Sequence, residues 1–147
     1  MNFDVLAMLI REDLGAAGLP VLPVEYSSMT SAGATVQPDD SGVVVGWRVH
    51  YALMTVGMHE YSRLQRGGPG ARFHGAVSDA MRDAMAEILT AAGYTLEKDY
   101  NDYAPYDLLV TAGPADRPSW RDWHDAQDAR RHAIQHRLLT KAHNDDG

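Results

Sequence analysis

The stretch PDDSGVVVGWRVHYAL, residues 38–53, decides the predicted fold. From residue 43 onward a large apolar side chain stands at every second position, which is the period of a β-strand with one buried face. That face is predicted to comprise Val43, Val45, Trp47, Val49, Tyr51 and Leu53. Residues 38–42 predict a tight turn, because proline fixes φ and glycine allows a positive φ. We therefore expect a hairpin with residues 21–37, where Val24 and Tyr26 favour a strand.

Amphipathic helices are expected before and after this hairpin. Over residues 3–17 and 71–92, apolar residues recur at three- and four-residue steps, and Gly18 and Gly93 are the expected ends. The two stripes comprise Phe3, Leu6, Ile10, Leu14 and Ala17, and then Phe73, Val77, Met81, Met85, Ile88 and Ala92. Val5, Met8 and Leu9 widen the first stripe, so we expect that helix to be well buried.

The remaining elements complete the predicted architecture. A short helix is expected at residues 52–66, two short strands at 94–98 and 106–112, and a last helix at 119–142 with Ser119 as its N-cap. This order predicts an α+β fold of two layers, with a mainly antiparallel sheet of about four strands. Amphipathic helices cover the Trp47 face of the sheet, and the C-terminal helix is charged. We expect residues 1–113 to form an α+β core domain and residues 114–147 a C-terminal helical extension of the same domain.

Composition narrows the range of functions. The chain has 147 residues, a net charge of −7 and no cysteine, which excludes disulfides, thiolate catalysis and iron–sulfur clusters. The acidic balance disfavours a nucleic-acid binder, which normally carries a basic face. Because acidic residues stand early in the N-terminal segment, the sequence predicts neither a signal peptide nor a membrane span there. A cytoplasmic location is therefore expected, or a virion-associated one if the protein comes from a phage.

The arginine bias and the order of the secondary-structure elements suggest that the protein comes from a phage or its bacterial host. The chain has 11 Arg against 2 Lys, and 20 Ala, which is typical of high-GC coding in a bacterium or its phage. Over about residues 1–112, the order helix, hairpin, helix, strand resembles in topology that of small phage tail-completion proteins. This resemblance implies an accessory subunit of a virion or mobile element that oligomerises.

A cluster of tyrosines and acids is the first candidate partner-binding site. Its members are Tyr94, Tyr100, Tyr103 and Tyr106, with Glu97, Asp99, Asp102 and Asp107. Tyrosine supplies stiff contact area with a polar tip, and the acids suit a basic partner. Tyr94 and Tyr106 are alternatively core residues at strand ends. Tyr100, Asp102 and Tyr103 lie in the predicted loop and are therefore the expected contact residues.

The last helix carries the second candidate site. Trp120 and Trp123 open it, and an apolar stripe continues through Ala126, Ala133, Ile134 and Leu138. A narrow stripe of this kind suits packing on the protein's own body, on a second copy or on another protein. In each case we expect the two tryptophans to act as anchors rather than as catalysts.

Histidines on the same helix raise a metal-binding alternative. His124, Asp128, His132 and His136 recur every four residues and share one face. His132 and His136 with Asp128 therefore form a weak candidate zinc site, against the favoured interpretation of a solvated helix face. This pattern therefore assigns no metal site and no cofactor.

Two further sets are interpreted as structural. Gly67, Gly68, Pro69 and Gly70, flanked by Arg63, Arg66 and Arg72, lack the pattern of a phosphate-binding loop and predict a connector. Arg48, His50, His59, Glu60 and His74 supply general acid–base side chains if they converge, but sequence does not show convergence.

We predict a non-enzymatic protein-interaction or assembly protein, either a phage or mobile-element accessory subunit or an acidic inhibitor of a host protein. Its expected partner is another protein, a second copy held through the C-terminal helix, or both. A metal-dependent hydrolase that uses the C-terminal histidines is the alternative.

Overall fold

The computed structural model describes residues 2–23, 31–62, 68–114 and 120–145. It divides into two compact units, Met1–Ala115 and Asp116–Gly147. The first unit contains α1 (Asp4–Ala16), β1 (Gly33–Pro38), β2 (Val43–Arg48), α2 (Tyr51–Ser62), α3 (Pro69–Ala91), β3 (Thr95–Lys98) and β4 (Leu108–Ala112). The second unit contains α4 (Trp120–Asp145).

The four strands form one sheet in the order β1-β2-β4-β3, and every neighbouring pair is antiparallel. The β1–β2 hairpin is closed by the Asp39 N–H, which donates to the Gly42 carbonyl oxygen at 2.7 Å. A Cβ at Gly42 would lie 2.4 Å from the Val110 carbonyl oxygen. Only glycine therefore lets β4 pass this close to the turn.

One face of the sheet is packed against α1 and α3. Because side chains alternate between faces, the antiparallel registers bring the inward residues of β1, β2 and β4 together. The buried cluster comprises Ala7, Ile10 and Leu14 of α1, Ala34 and Val36 of β1, Val43 and Val45 of β2, Met85, Ala86 and Leu89 of α3, Tyr94, and Leu108 and Val110 of β4. Trp47 packs against its edge. The predicted α+β fold, with helices covering the Trp47 face, is thus confirmed.

The predicted ends of α1 and α3 are also confirmed. Gly18 and Gly93 follow these helices with φ of 96° and 98°, which is the left-handed conformation that glycine adopts without strain. In both cases the next residue donates its N–H back to a carbonyl of the last turn, Leu19 to Leu14 at 3.1 Å and Tyr94 to Leu89 at 3.0 Å.

The strand predicted over residues 43–53 is too long. β2 ends at Arg48, and Tyr51 and Leu53 belong to α2. The His50 imidazole Nδ1 accepts a hydrogen bond from the Ala52 N–H at 3.1 Å. This bond satisfies a free amide at the start of α2, so the chain turns into a helix although its apolar alternation continues.

The predicted helix stripes are too wide. Val5 and Met8 are exposed, because α1 meets the core along the arc of Ala7, Ile10 and Leu14. Phe73 is 60% exposed rather than buried. The C-terminal half of α3 packs on the sheet, whereas its N-terminal half pairs with α2.

Some predictions fall on residues outside the described ranges. These are the strand at Val24 and Tyr26, the N-cap at Ser119, and Arg63, Arg66 and Gly67 of the glycine-rich connector. Gly68 lies within the described part and is the N-cap of α3, which begins with Pro69.

The outer edge of β1 is occupied by the chain itself. Ala34 donates its N–H to the Pro20 carbonyl at 2.8 Å and accepts at its own carbonyl from the Leu22 N–H at 2.9 Å. The Arg11 guanidinium donates to the Val36 carbonyl oxygen. Pro38 is the next residue whose backbone faces the outer edge of β1, and proline has no N–H group to donate.

Candidate binding site

A cavity of about 580 Å³ lies where β2 extends past the start of β4. β2 pairs with β4 only from Val43 to Val45, whereas its pairing with β1 continues to Arg48. Beyond Val45, the Asp107 side chain lies next to Gly46 of β2 in place of a paired strand. The cavity is lined by Thr35, Trp47, Arg48, Val49, Met54, His74, Ser78, Tyr103, Ala104, Pro105, Tyr106 and Asp107.

Gly46 sets the position of the Asp107 carboxyl group. A Cβ at Gly46 would lie 2.6 Å from Asp107 Oδ1 and 3.0 Å from Thr35 Oγ1. The carboxyl group therefore lies directly over the backbone of β2, on the sheet face opposite the core. Burial raises the pKa of Asp107, because the charged form is less well hydrated there.

The segment 99–107 is held by its own turns and by α3. Ala104 and Asp107 donate their N–H groups to the carbonyls of Asn101 and Ala104, at 3.0 and 3.1 Å. From α3, Arg82 donates through Nη1 to the Pro105 carbonyl oxygen at 3.0 Å. The tip of the loop is thus tied to a long helix, which gives the side chains around the cavity a fixed frame.

The predicted contact residues of this loop differ in exposure. Tyr103 is 98% exposed at the rim of the cavity, and Asp102 is exposed beside it. Tyr100 is half-buried, and its pKa is raised by burial and by the negative charges of Asp107 and Asp39. The three residues remain a predicted contact site, with Tyr103 as its most accessible member.

The other two tyrosines have different roles. Tyr94 is buried, and its hydroxyl donates to the carboxylate of Asp13, which is also buried. Tyr106 is half-buried in the cavity wall, and its hydroxyl would lie 3.7 Å from a Cβ at Gly75 of α3. Tyr94 is therefore a core residue, as its alternative interpretation held, whereas Tyr106 contributes to the site.

The structure places the predicted acid–base residues in different parts of the molecule. Arg48 and His74 line the cavity. His50 caps the start of α2 instead. The Glu60 carboxylate accepts from the Gly70 and Ala71 N–H groups, at 3.2 and 2.7 Å, at the start of α3. Glu60 therefore occupies two of the amides that a phosphate would need at that helix N-terminus.

The two tryptophans predicted as anchors on α4 are exposed. Trp120 and Trp123 are 49% and 66% exposed, and no residue of α4 is buried. The Arg121 guanidinium lies 5.2 Å from the centroid of the Trp120 ring, within the range of a cation–π contact.

The histidines of α4 bond to their own helix. His132 Nδ1 donates to the Asp128 backbone carbonyl at 2.9 Å, and it lies 3.5 Å from the Asp128 carboxylate. His124 lies 3.5 Å from the Asp125 carboxylate. Over the described residues, no group of three or more His, Asp or Glu side chains is arranged to hold a metal ion. The weak site at Asp128, His132 and His136 is therefore incomplete within this part of the chain.

Sequence reasoning missed an apolar surface on α2 and the start of α3. Tyr51, Val56 and Met58 of α2 are exposed, and so is Phe73 of α3. The two helices meet where Gly57 faces His74 and Gly70 faces Val56. The composition of α2, apolar around its whole circumference, was the available signal. This signal was obscured in the sequence because residues 51–53 continue the alternation of apolar and other side chains that begins in β2.

Comparison with known proteins adds no relative. No family model, no curated protein and no solved structure matches this chain. In the ranges that the structure describes, none of the helices has both the length and the apolar character needed to cross a bilayer.

Proposed function

We propose that this chain is a non-enzymatic protein-interaction or assembly protein. The observation that carries the proposal is the exposure of Trp120 and Trp123 on a 26-residue helix without a buried residue. Exposed large aromatic side chains are characteristic of the centres of protein interfaces.

The geometry of α4 supports self-association. At 100° per residue, Trp120, Trp123, Ile134 and Leu138 fall within an arc of about 60°. The two halves of this stripe are separated by about three turns, in which Gln127 and Arg131 share the same side. An isolated helix in water is marginally stable, so packing of this stripe against a second copy would stabilise it.

The loop 99–107 supports a second contact, with a different partner. Tyr103 stands almost fully exposed, and Asp102 supplies negative charge next to it. Two versions of the function follow. In one, the protein is an oligomeric accessory subunit of a phage or mobile element, and in the other it is an acidic inhibitor that sequesters a basic host protein.

Native mass spectrometry on tag-free protein tests the proposal. We expect a metal-free dimer or ring for the wild type and a monomer for Trp120→Ala/Trp123→Ala. Leu139→Ala is the matched control, because Leu139 is 71% exposed on the same helix but lies about 100° away from Trp120. This control should retain the oligomer.

Two other results would change the proposed function. Oligomers that persist unchanged in the double variant would remove α4 as the interface. A monomer that carries one tightly bound metal ion would overturn the proposal and favour the hydrolase alternative at Asp128, His132 and His136.

A further inference from the structure

The edge of β2 that faces β4 is open beyond Val45. In the described part of the chain, β4 begins at Leu108 and pairs with β2 only at residues 43–45. On its other side, β2 stays paired with β1 as far as its last residue. Residues 47–49 line the cavity of about 580 Å³. The cavity therefore borders a strand edge to which no other strand is paired.

The direction of the Trp47 backbone groups follows from its partner in β1. Ala34 lies opposite Trp47, and its own N–H and C=O bond to Pro20 and Leu22, away from β2. Two residues directly opposite each other in an antiparallel pair either bond to each other or both face away. The Trp47 N–H and C=O therefore point to the open side. The Val49 N–H points the same way, because a trans peptide directs its N–H opposite to the preceding carbonyl, which faces β1.

These three backbone groups have no hydrogen bond within the protein. Among the residues that the structure describes, none bonds to the Trp47 N–H, the Trp47 C=O or the Val49 N–H. Val49 is only 5% exposed. Backbone donors at buried residues are nearly always paired, because an unpaired amide loses its hydration without compensation. An unpaired amide of this kind beside a cavity indicates a ligand that accepts its hydrogen bond.

We propose that the open edge of β2 binds an extended segment of a partner protein. The segment continues the line of β4, runs antiparallel to β2 as β4 does, and bonds to the backbone of Trp47 and Val49. The inference rests on the proposed function, since it takes the occupant to be part of a bound protein. When a strand is added to a sheet, main-chain hydrogen bonds supply affinity and alternate side chains supply specificity.

The lining of the cavity fits the alternating side chains of such a segment. The Thr35 hydroxyl and the Asp107 carboxyl group lie at Gly46, on the sheet face opposite the core. Trp47 packs on the core side, and Ser78 of α3 lines the cavity there. Successive side chains of a strand point to opposite faces, so different residues of one segment reach the two sides. The residue opposite Trp47 shares its face, where an apolar side chain packs on the indole ring.

The length of the open stretch limits what can occupy it. Residues 47–49 span about 10 Å of extended chain. The line beside β2 is occupied by β4 before this stretch, and α2 begins after it at Tyr51. The edge of another folded sheet is too long for this opening, whereas an extended segment of about three residues fits.

Titration with capped pentapeptides tests the inference in the full-length chain. The probes have the sequence Lys-Thr-X-Thr-Lys, where X is valine, leucine or phenylalanine, and the control peptide has N-methylvaline at X. N-methylation keeps the side chain and the charge but removes the N–H that donates to the Trp47 carbonyl. We expect at least one probe to shift the Trp47 and Val49 amide NMR signals in a saturable way. The control should bind at least about tenfold more weakly than the valine probe.

Hydrogen exchange supplies a second readout. Val45 faces the same side of β2 and is paired with Leu108, so its amide is an internal reference. In the free protein, the Trp47 and Val49 amides should exchange faster than the Val45 amide. Saturation with the probe should slow exchange of both at least about tenfold and leave Val45 unchanged.

Two variants of α3 locate the bound segment. Ser78 is 4% exposed in the cavity lining, so Ser78→Leu adds bulk on the core side and should weaken binding of every probe severalfold. Glu87→Leu makes the same change in size at an exposed position outside the lining and should leave the affinity unchanged. The N-methylated control needs no variant, so the test stands even where Ser78→Leu disturbs the fold.

Three outcomes would overturn the inference. They are the absence of saturable shifts with every probe, equal binding of the N-methylated peptide, and exchange of the Trp47 and Val49 amides in the free protein as slow as that of Val45. The oligomeric state is measured on the same sample by native mass spectrometry. An associating protein that binds no peptide would therefore refute this inference alone, whereas a monomer that binds the peptide would refute self-association alone.

Discussion

Asp107 and Gly46 show how a single missing side chain defines a site. Any β-carbon at residue 46 would collide with Asp107 Oδ1, so the carboxyl group would have to move away from the strand. Burial of this carboxyl group disfavours its charged form, so the position lowers stability at neutral pH.

The raised pKa of Asp107 makes stability depend on pH in a defined direction. The folded state binds this proton more tightly than the unfolded state, whose carboxyl group titrates near about pH 3.9. The contribution to stability is thus fully present below that value and is lost as pH rises through the folded pKa. Relative to wild type, Asp107→Asn should therefore gain stability as pH rises from about 3.9 through the folded pKa, by less than about 1 kcal/mol because the group is only half-buried.

Urea unfolding at a series of pH values measures this difference. Asp102→Asn removes the same charge from an exposed position in the same loop and controls for net charge. Identical pH profiles for the two variants would contradict the role of burial at Asp107.

At the scale of elements, the loop 99–107 depends on α3 for its position. The Arg82 side chain is 18% exposed and reaches Pro105 across the surface, while it also lies within 3.5 Å of Asp79 and Asp83 on its own helix. Lys98 reaches the same Asp83 at 3.2 Å, so the end of β3 and the loop share one anchor. Hydrogen bonds from these two cations lower the pKa of Asp83.

Arg82→Ala should loosen the loop while leaving the sheet intact. We expect faster hydrogen exchange at the Ala104 and Asp107 amides, whose bonds close the turns of the loop, and unchanged exchange in β2. Arg72→Ala, an exposed position on the same helix, is the control. Unchanged exchange at Ala104 and Asp107 would show that the turns alone hold the loop.

Elements with a long periodic pattern could be predicted from the sequence, and their contacts could not. The stripe of α3 and the alternation of β2 identified a helix and a strand, because each repeats the geometry of its own backbone. The predicted burial of Phe73 was wrong, because α2 packs on α3 at His74 and Gly70 and leaves Phe73 exposed. The strand order β1-β2-β4-β3 and the cavity lined by residues of β2, α3 and the loop 99–107 depend on long-range packing, which local periodicity does not encode.

At the scale of the whole molecule, charge is divided unevenly along the chain. The acidic excess lies in residues 1–113, whereas residues 114–147 carry six basic and six acidic side chains. Copies that associate through α4 would therefore bring two negatively charged units near each other.

Salt should consequently strengthen the proposed self-association. Raising NaCl from about 50 mM to about 500 mM should favour association through α4, because it screens repulsion between the acidic units. Sedimentation at both concentrations measures the effect, and association that weakens as salt is added would contradict it.

The occupied edge of β1 has a consequence for how copies of this chain can accumulate side by side. Fibril growth requires a strand whose outward amides and carbonyls accept a newcomer. On β1 those groups at Ala34 and the carbonyl of Val36 are already used, and β3 offers only four residues, which include Glu97 and Lys98. The fold therefore disfavours templated polymerisation through its sheet, and contacts between crowded copies are left to the helices.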